Sequence, residues 1–218
     1  MNVDVTVIDY GVGNLRSLRR GLERAGASVS ESSDPDGIRE ADALVLPGVG
    51  AFEECMRNSE PFHDVLREAA EDTPILGICV GHQLLMTDST EGAPEGEVIE
   101  GLDLVPGSVV RLSGDVKVPH MGWNTLTVER DHPVVAGIET GDYAYFVHSY
   151  CTASDDHTLA SCTYGGEFAA IATNEAGNVV GTQFHPEKSG ETGLQLLDDF
   201  VSFAADWNAE RMDSLAAE

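Results

Sequence analysis

The stretch Pro74-Ile75-Leu76-Gly77-Ile78-Cys79-Val80-Gly81-His82-Gln83 constrains what this chain can fold into more than any other. Its apolar run at 74–78 reads as a buried strand, and the run ends in Gly77-Ile78-Cys79-Val80-Gly81. That is the G-x-C-x-G form of a nucleophile elbow, a sharp strand-to-helix turn that holds its central residue in a strained backbone conformation. Glycines two residues either side let the strand and helix cross closely. Cys79 is then expected at the N-terminus of a helix over 80–86, where the helix dipole favours a thiolate. The Val80 N–H is placed to donate to an oxyanion. The same stretch taken alone also fits an inert cysteine buried at a strand end.

The flanking chain supplies the rest of the fold class. A strand at 3–8 leads into the loop Tyr10-Gly11-Val12-Gly13-Asn14. Asn14 can cap a helix that carries Leu15, Leu18, Leu22 and Ala25 on one face, closed by Gly26. A strand at 27–30, a turn at Asp34-Pro35-Asp36-Gly37 and a buried strand at 43–46 follow. The loop Pro47-Gly48-Val49-Gly50 and helices over 52–58 and 62–70 lead to the elbow strand. Strands alternating with helices predict an α/β fold, a mostly parallel central sheet with helices on both faces. The crevice of such a sheet lies beyond the carboxyl ends of its strands, where Pro47-Gly48-Val49-Gly50 and Cys79 both fall. After a polar loop at 87–96, strand-like runs at 105–110, 126–128, 143–147, 159–163, 169–172 and 179–184 read as an antiparallel extension of that sheet. A helix over 191–207 closes a single domain, 1–207, and 208–218 reads as a frayed tail. The first glycine loop has Arg16 where a dinucleotide fingerprint needs its third glycine, which disfavours a flavodoxin-like nucleotide-binding module.

Charge narrows the function class. Asp and Glu number 38 against 12 Lys and Arg, a formal charge of −26 in 218 residues, the reverse of a nucleic-acid binder. Lys117 and Lys188 are the only lysines, and the acids are dispersed. The pattern resembles proteins of salt-loving organisms, where a Debye length of ~3 Å at molar salt removes self-repulsion. An acidic face for a basic partner is the alternative. No apolar run is long enough for a membrane span, and the N-terminus has no basic n-region, so a cytoplasmic location is expected. Cys55, Cys79, Cys151 and Cys162 fit neither a zinc pattern nor a disulfide scaffold and are expected to be free thiols.

A cysteine nucleophile needs a base, and the base needs an orienting partner. The last strand run ends in Gln183-Phe184-His185-Pro186-Glu187-Lys188. Pro186 stops the ladder, which leaves His185 at the strand end with Glu187 in reach of its other nitrogen. Cys79, His185 and Glu187 then follow triad logic. His148, in Phe146-Val147-His148-Ser149-Tyr150, is a second candidate base, whereas His82 on the elbow helix points away from where a base must stand.

Gly77-Ile78-Cys79-Val80-Gly81-His82-Gln83, Pro47-Gly48-Val49-Gly50 and His185-Pro186-Glu187 together resemble the class I (triad) glutamine amidotransferases, over nearly the whole chain. Lys117-Val118-Pro119-His120-Met121-Gly122-Trp123-Asn124 and Tyr145-Phe146-Val147-His148-Ser149-Tyr150 are similar to the glutaminase subunits of the imidazole glycerol phosphate synthase family, although His82 stands where those often have Met. The resemblance implies hydrolysis of L-glutamine to glutamate and ammonia by Cys79, His185 and Glu187. It implies an oxyanion site at Val49 and Val80, substrate contacts at Gly48, Gly50, Gln83, Ser149 and Tyr150, and no metal or organic cofactor. It further implies a (β/α)-barrel cyclase partner met at or near Asn14, Met121, Trp123, Tyr145 and Lys188, while charge and the lack of an apolar span predict neither nucleic acid nor membrane as a partner. Cys55, Cys151 and Cys162 should be dispensable for the chemistry. Cysteine peptidases and small hydrolases of related folds share the elbow, but Gly48-Val49-Gly50 and Gln83 favour glutamine.

Overall fold

The computed structural model describes residues 3–12 and 15–216. The N-terminal half alternates as expected: β1 (Asp4–Ile8), α1 (Leu15–Arg24), β2 (Ser28–Ser32), α2 (Pro35–Ile38), β3 (Ala43–Gly48), α3 (Phe52–Ser59), α4 (His63–Ala69), β4 (Ile75–Cys79) and α5 (Val80–Leu85). α2 replaces the expected turn with one helical turn. The Asp34 side chain accepts from the Asp36 N–H, and Pro35 starts the helix where no N–H is needed. Asn14, expected to cap α1 and to meet the partner, lies outside the described residues.

The rest of the chain adds β5 (Asp88–Ser89), β6 (Ile99–Glu100), β7 (Ser108–Arg111), β8 (His120–Thr125), β9 (Thr127–Val128), β10 (Tyr143–His148), β11 (Tyr150–Thr152), β12 (Thr158–Thr163), β13 (Glu167–Thr173), β14 (Val179–Thr182) and α6 (Gly190–Ala216). The central sheet has eight strands in the order β2-β1-β3-β4-β14-β13-β12-β9. β2, β1, β3, β4 and β14 run parallel, and β13, β12 and β9 add on antiparallel.

This corrects the expectation that every late strand extends one sheet. β8 pairs with β10 in a separate two-stranded sheet, and β11-β7-β5-β6 form another. Alternation along β10 marks one buried face but does not say which strand takes its backbone bonds. The core decides it: Phe146 of β10 meets Phe168 of β13 and Phe184, each at 5.7 Å between ring centres, so β10 packs across the main sheet instead of joining its edge.

β3 also outruns its expected end. It continues through Pro47 and Gly48, in register with Ile78 and Cys79. β1 pairs only as far as Val45, so the N–H that Pro47 lacks falls where no ladder partner remains. α5 lies over β3, β4 and β14, while α1 packs on α6. α6 continues past Trp207 to Ala216, where a frayed tail was expected. Trp207 Nε1 donates to the Asp72 carbonyl (2.8 Å), Asn208 Nδ2 donates to the Asp42 carbonyl (2.9 Å), and Arg211 pairs with Asp72. These partners are remote in sequence, which hid the continuation.

No helix among the described residues is long and apolar enough to cross a membrane. The arginine ion pairs, such as Arg19–Glu23, Arg39–Glu68 and Arg67–Asp64, are solvent-exposed and individually weak. With 38 acids against 12 Lys and Arg, most carboxylates have no cation to meet. The melting temperature should therefore rise from low to molar potassium chloride by at least about 3 °C, the shift of roughly 1 kcal/mol in a chain of this size. A flat or falling melting curve across that range would contradict this account of the charge.

Candidate active site

The site begins with a close crossing of backbones. A Cβ on Gly77 would come within 2.6 Å of Leu85 Cδ1 and 2.9 Å of His82 Cα. One on Gly81 would strike the Leu46 carbonyl, and one on Gly48 would strike the Gly81 nitrogen. Only glycine lets α5 start directly on top of β3 and β4. The turn between them holds Cys79 at φ 55° and ψ −109°, in the strained conformation the elbow motif predicts. Gly48 consequently has a different role from the one expected. It is buried against the start of α5 and does not line the cavity.

β14 brings up the other half. It lies parallel to β4 with Thr182 in register with Ile78, which carries His185 to the level of Cys79 just beyond the strand end. Ser189 Oγ donates to the His185 carbonyl (2.7 Å), and the His185 N–H donates to the Tyr145 carbonyl (3.1 Å). Nδ1 of His185 is 3.0 Å from Glu187 Oε1, and both side chains are nearly buried. Its other ring nitrogen is left for Cys79, which lines the same cavity and whose Sγ donates to the Val147 carbonyl at 3.8 Å. Burial pulls the imidazole down, but the nearby Cys79 and the hydrogen-bonded Glu187 outweigh it and leave His185 at about 9. Lys188 Nζ stands 4.0 Å from the same Glu187 oxygen.

The competing histidines are held neutral. His82 is fully buried against Gly181, and burial, helped by His148, pushes it down to about 3. His148 lines the cavity, but its Nδ1 is committed to the Tyr150 carbonyl (2.9 Å) and its Nε2 meets His120 Nδ1 (3.0 Å). Burial pushes His148 down to about 4, and His120 likewise. His185 alone combines a carboxylate partner with contact to Cys79.

The cavity over Cys79 has a volume of about 360 Å³. Val49, Gly50, Val80, Gln83, Ser149 and Tyr150 are among its lining. Gln83 Nε2 donates to the Tyr150 carbonyl and to Gln183 Oε1, each at 2.9 Å, which fixes the amide and pins β11 to α5. Glu91 and Pro119 also line the cavity, and sequence reasoning missed them. Glu91 accepts from the Phe52 N–H at the start of α3 (3.0 Å). Nothing in the sequence distinguished it among 38 acids.

Of the expected partner residues, Lys188 lines the cavity, and Met121, Trp123 and Tyr145 lie on the two-stranded sheet whose Val147, paired with Met121, also lines it. Met121 and Trp123 of β8 are 64% and 54% exposed, which is unusual for side chains so apolar. Trp123 meets half-buried Tyr145 edge-on at 5.7 Å, and Lys188 is exposed at the cavity rim.

The fold and this cysteine–histidine–glutamate geometry define a class of protein. The chain belongs to the class I glutamine amidotransferase family, whose sequence pattern matches residues 6–203. It is 59% identical to the imidazole glycerol phosphate synthase subunit HisH of Natronomonas pharaonis, over 92% of this chain and 94% of that protein. It is 56% identical to the protein of the same name from Halobacterium salinarum, over 93% and 94%. Both relatives come from halophilic archaea, in keeping with the acidic composition. PurLQS from Thermotoga maritima, at 24% identity, shares the fold with a TM-score of 0.70 over 93% of this chain and 99% of that one.

The histidine shifts set a pH profile for stability. His82, His120 and His148 have folded values below 6.5, so the unfolded chain takes up more protons and stability is lost as pH falls from 6.5 towards 4. His185 is raised, so its contribution is complete below 6.5 and is lost as pH rises through about 9. Melting temperatures measured in molar salt should peak close to neutrality, and His185→Asn should flatten the alkaline limb between pH 6.5 and about 9. An alkaline limb equally steep in the variant would show that His185 is not its source.

Proposed function

We propose that this chain is the glutaminase subunit of an imidazole glycerol phosphate synthase in histidine biosynthesis. One observation carries the reading: Cys79 on its strained turn contacts His185, whose other nitrogen is held by Glu187, in a chain so similar to HisH proteins. The Cys79 thiolate attacks the side-chain amide carbon of glutamine. The Val80 N–H and the Val49 N–H stabilise the resulting oxyanion. His185 delivers its proton to the departing ammonia as the C–N bond breaks, which leaves a glutamyl thioester. It then takes a proton from water as the water attacks, and the C–S bond breaks to release glutamate and the thiolate. Glu187 holds the tautomer and offsets the imidazolium charge. Gly50, Gln83, Ser149 and Tyr150 hold the amino-acid end, and the Glu91 carboxylate is the one lining group that suits its ammonium. Ammonia passes to a (β/α)-barrel cyclase subunit, which makes imidazole glycerol phosphate and an aminoimidazole carboxamide ribotide.

In the assembled complex, Cys79→Ala should lower glutamine hydrolysis by at least about 10³-fold and leave ammonia-dependent turnover intact. Glutamate release at the wild-type rate by Cys79→Ala, or release of amine from peptides in preference to glutamine, would overturn the assignment.

Exposed Trp123, packed on half-buried Tyr145, supports docking beside the triad. Tyr145 accepts from the His185 N–H, and its own N–H donates to Ser189 Oγ (2.9 Å), so a partner seated on β8 and β10 bears directly on the catalytic segment. The isolated subunit is expected to be nearly inactive, with Pro47-Gly48-Val49-Gly50 set by a ligand-loaded partner. Trp123→Ala should weaken association by about 2 kcal/mol, the usual cost of truncating an aromatic anchor. Lys188→Ala should uncouple glutamine hydrolysis from product formation. Full glutaminase activity in the isolated chain, or normal coupling in both variants, would exclude this arrangement.

A further inference from the structure

We propose that Tyr10 and Cys55, neither of which lines the cavity, clamp the segment Pro47-Gly48-Val49-Gly50 so that its middle peptide is the unit left to turn. They are positioning residues for glutamine hydrolysis, and the proposal rests on the glutaminase reading above. Tyr10 Oη donates to the Pro47 carbonyl at 2.5 Å, and Cys55 Sγ donates to the Val49 carbonyl at 3.3 Å. Both side chains are buried and lie against each other. Burial drives the Tyr10 hydroxyl far above its ordinary range and pushes the Cys55 thiol up, so both keep the protons they donate.

The two anchored carbonyls belong to the peptides on either side of the Gly48–Val49 peptide. A peptide plane turns by paired rotation about its flanking Cα atoms, here ψ of Gly48 and φ of Val49, and its neighbours can stay in place. Pro47 lies beyond the β1 ladder, so its carbonyl has lost a strand partner on that side and Tyr10 replaces it. Cys55 is carried by α3, whose first N–H is tied to Glu91 at the cavity wall. The anchors are thus fixed just past the end of β1 and on α3, and the Val49 N–H is aimed by a single turning unit. Without them the motion would spread over the whole segment, and the N–H would point at the oxyanion for a smaller share of the time. Cys55 stays outside the chemistry, as its sequence context suggests, yet it affects the rate.

The experiment uses the complex with its cyclase partner and compares Tyr10→Phe, Cys55→Ala and Cys55→Ser with wild type. Tyr10→Phe and Cys55→Ala should each lower kcat for glutamine about fivefold, the population change expected from one ordinary hydrogen bond, with KM held within about twofold. Ammonia-dependent turnover should be unchanged, which reports an intact fold and assembly. Cys55→Ser keeps a donor and should restore most of kcat. Unchanged kcat in both removal variants, a serine variant as slow as the alanine one, or a matching fall in ammonia-dependent turnover would overturn the clamp. A wild-type complex that hydrolyses no glutamine would instead overturn the glutaminase reading, so the two failures are distinct.

Discussion

Everything at the site depends on α5 crossing β3 and β4 at backbone contact distance. Gly48, Gly77 and Gly81 make that crossing possible, and the crossing puts Cys79 at a positive φ. Such a residue costs on the order of 1–3 kcal/mol. The helix it launches is short, but all six of its residues are buried. Burying Leu84 and Leu85 alone contributes about 1.5–3 kcal/mol each. Burial outweighs strain, so the turn is held by the core beneath it and not by its own conformational preference.

Burial also sorts the histidines. His82, His120, His148 and His185 are all buried, and three of them are neutral because nothing anionic faces them. His185 is displaced the other way because Cys79 and Glu187 both favour its charged form. Its neighbours, and not burial, therefore set His185 apart from the other three. Outside, the charge balance follows a different rule: most carboxylates lie in solvent, where only salt moderates their repulsion.

The segment carrying His185 belongs to two structures at once. β14 delivers it from the main sheet, while Tyr145 of β10 holds its backbone from the separate two-stranded sheet. That second sheet carries the exposed Trp123 and Met121. Its strand β10 is thus tied to the backbone around His185 by hydrogen bonds of Tyr145 to His185 and Ser189.

Local chemistry made much of this legible in the sequence. The elbow, the His185-Pro186-Glu187 turn and the alternation of strands with helices are short-range patterns, and each physical requirement lies within a few residues. Whatever depended on a distant neighbour had to wait for the tertiary structure. The separation of β8 and β10 from the main sheet turns on Phe146 meeting Phe168 and Phe184. The continuation of α6 turns on Asp72 and Asp42, and the packing role of Gly48 turns on Gly81. Glu91 at the cavity and the hydrogen bonds of Tyr10 and Cys55 to the Pro47 and Val49 carbonyls have no sequence signature, because an acid, a tyrosine or a cysteine acquires a role only from what the fold sets beside it. The sequence by itself determined which residues could do the chemistry, because strain, helix dipole and turn are local. The tertiary structure decided which histidine stands between Cys79 and a carboxylate and which side chains bond the Pro47 and Val49 carbonyls, because burial and hydrogen-bond partnership arise between residues far apart in the chain.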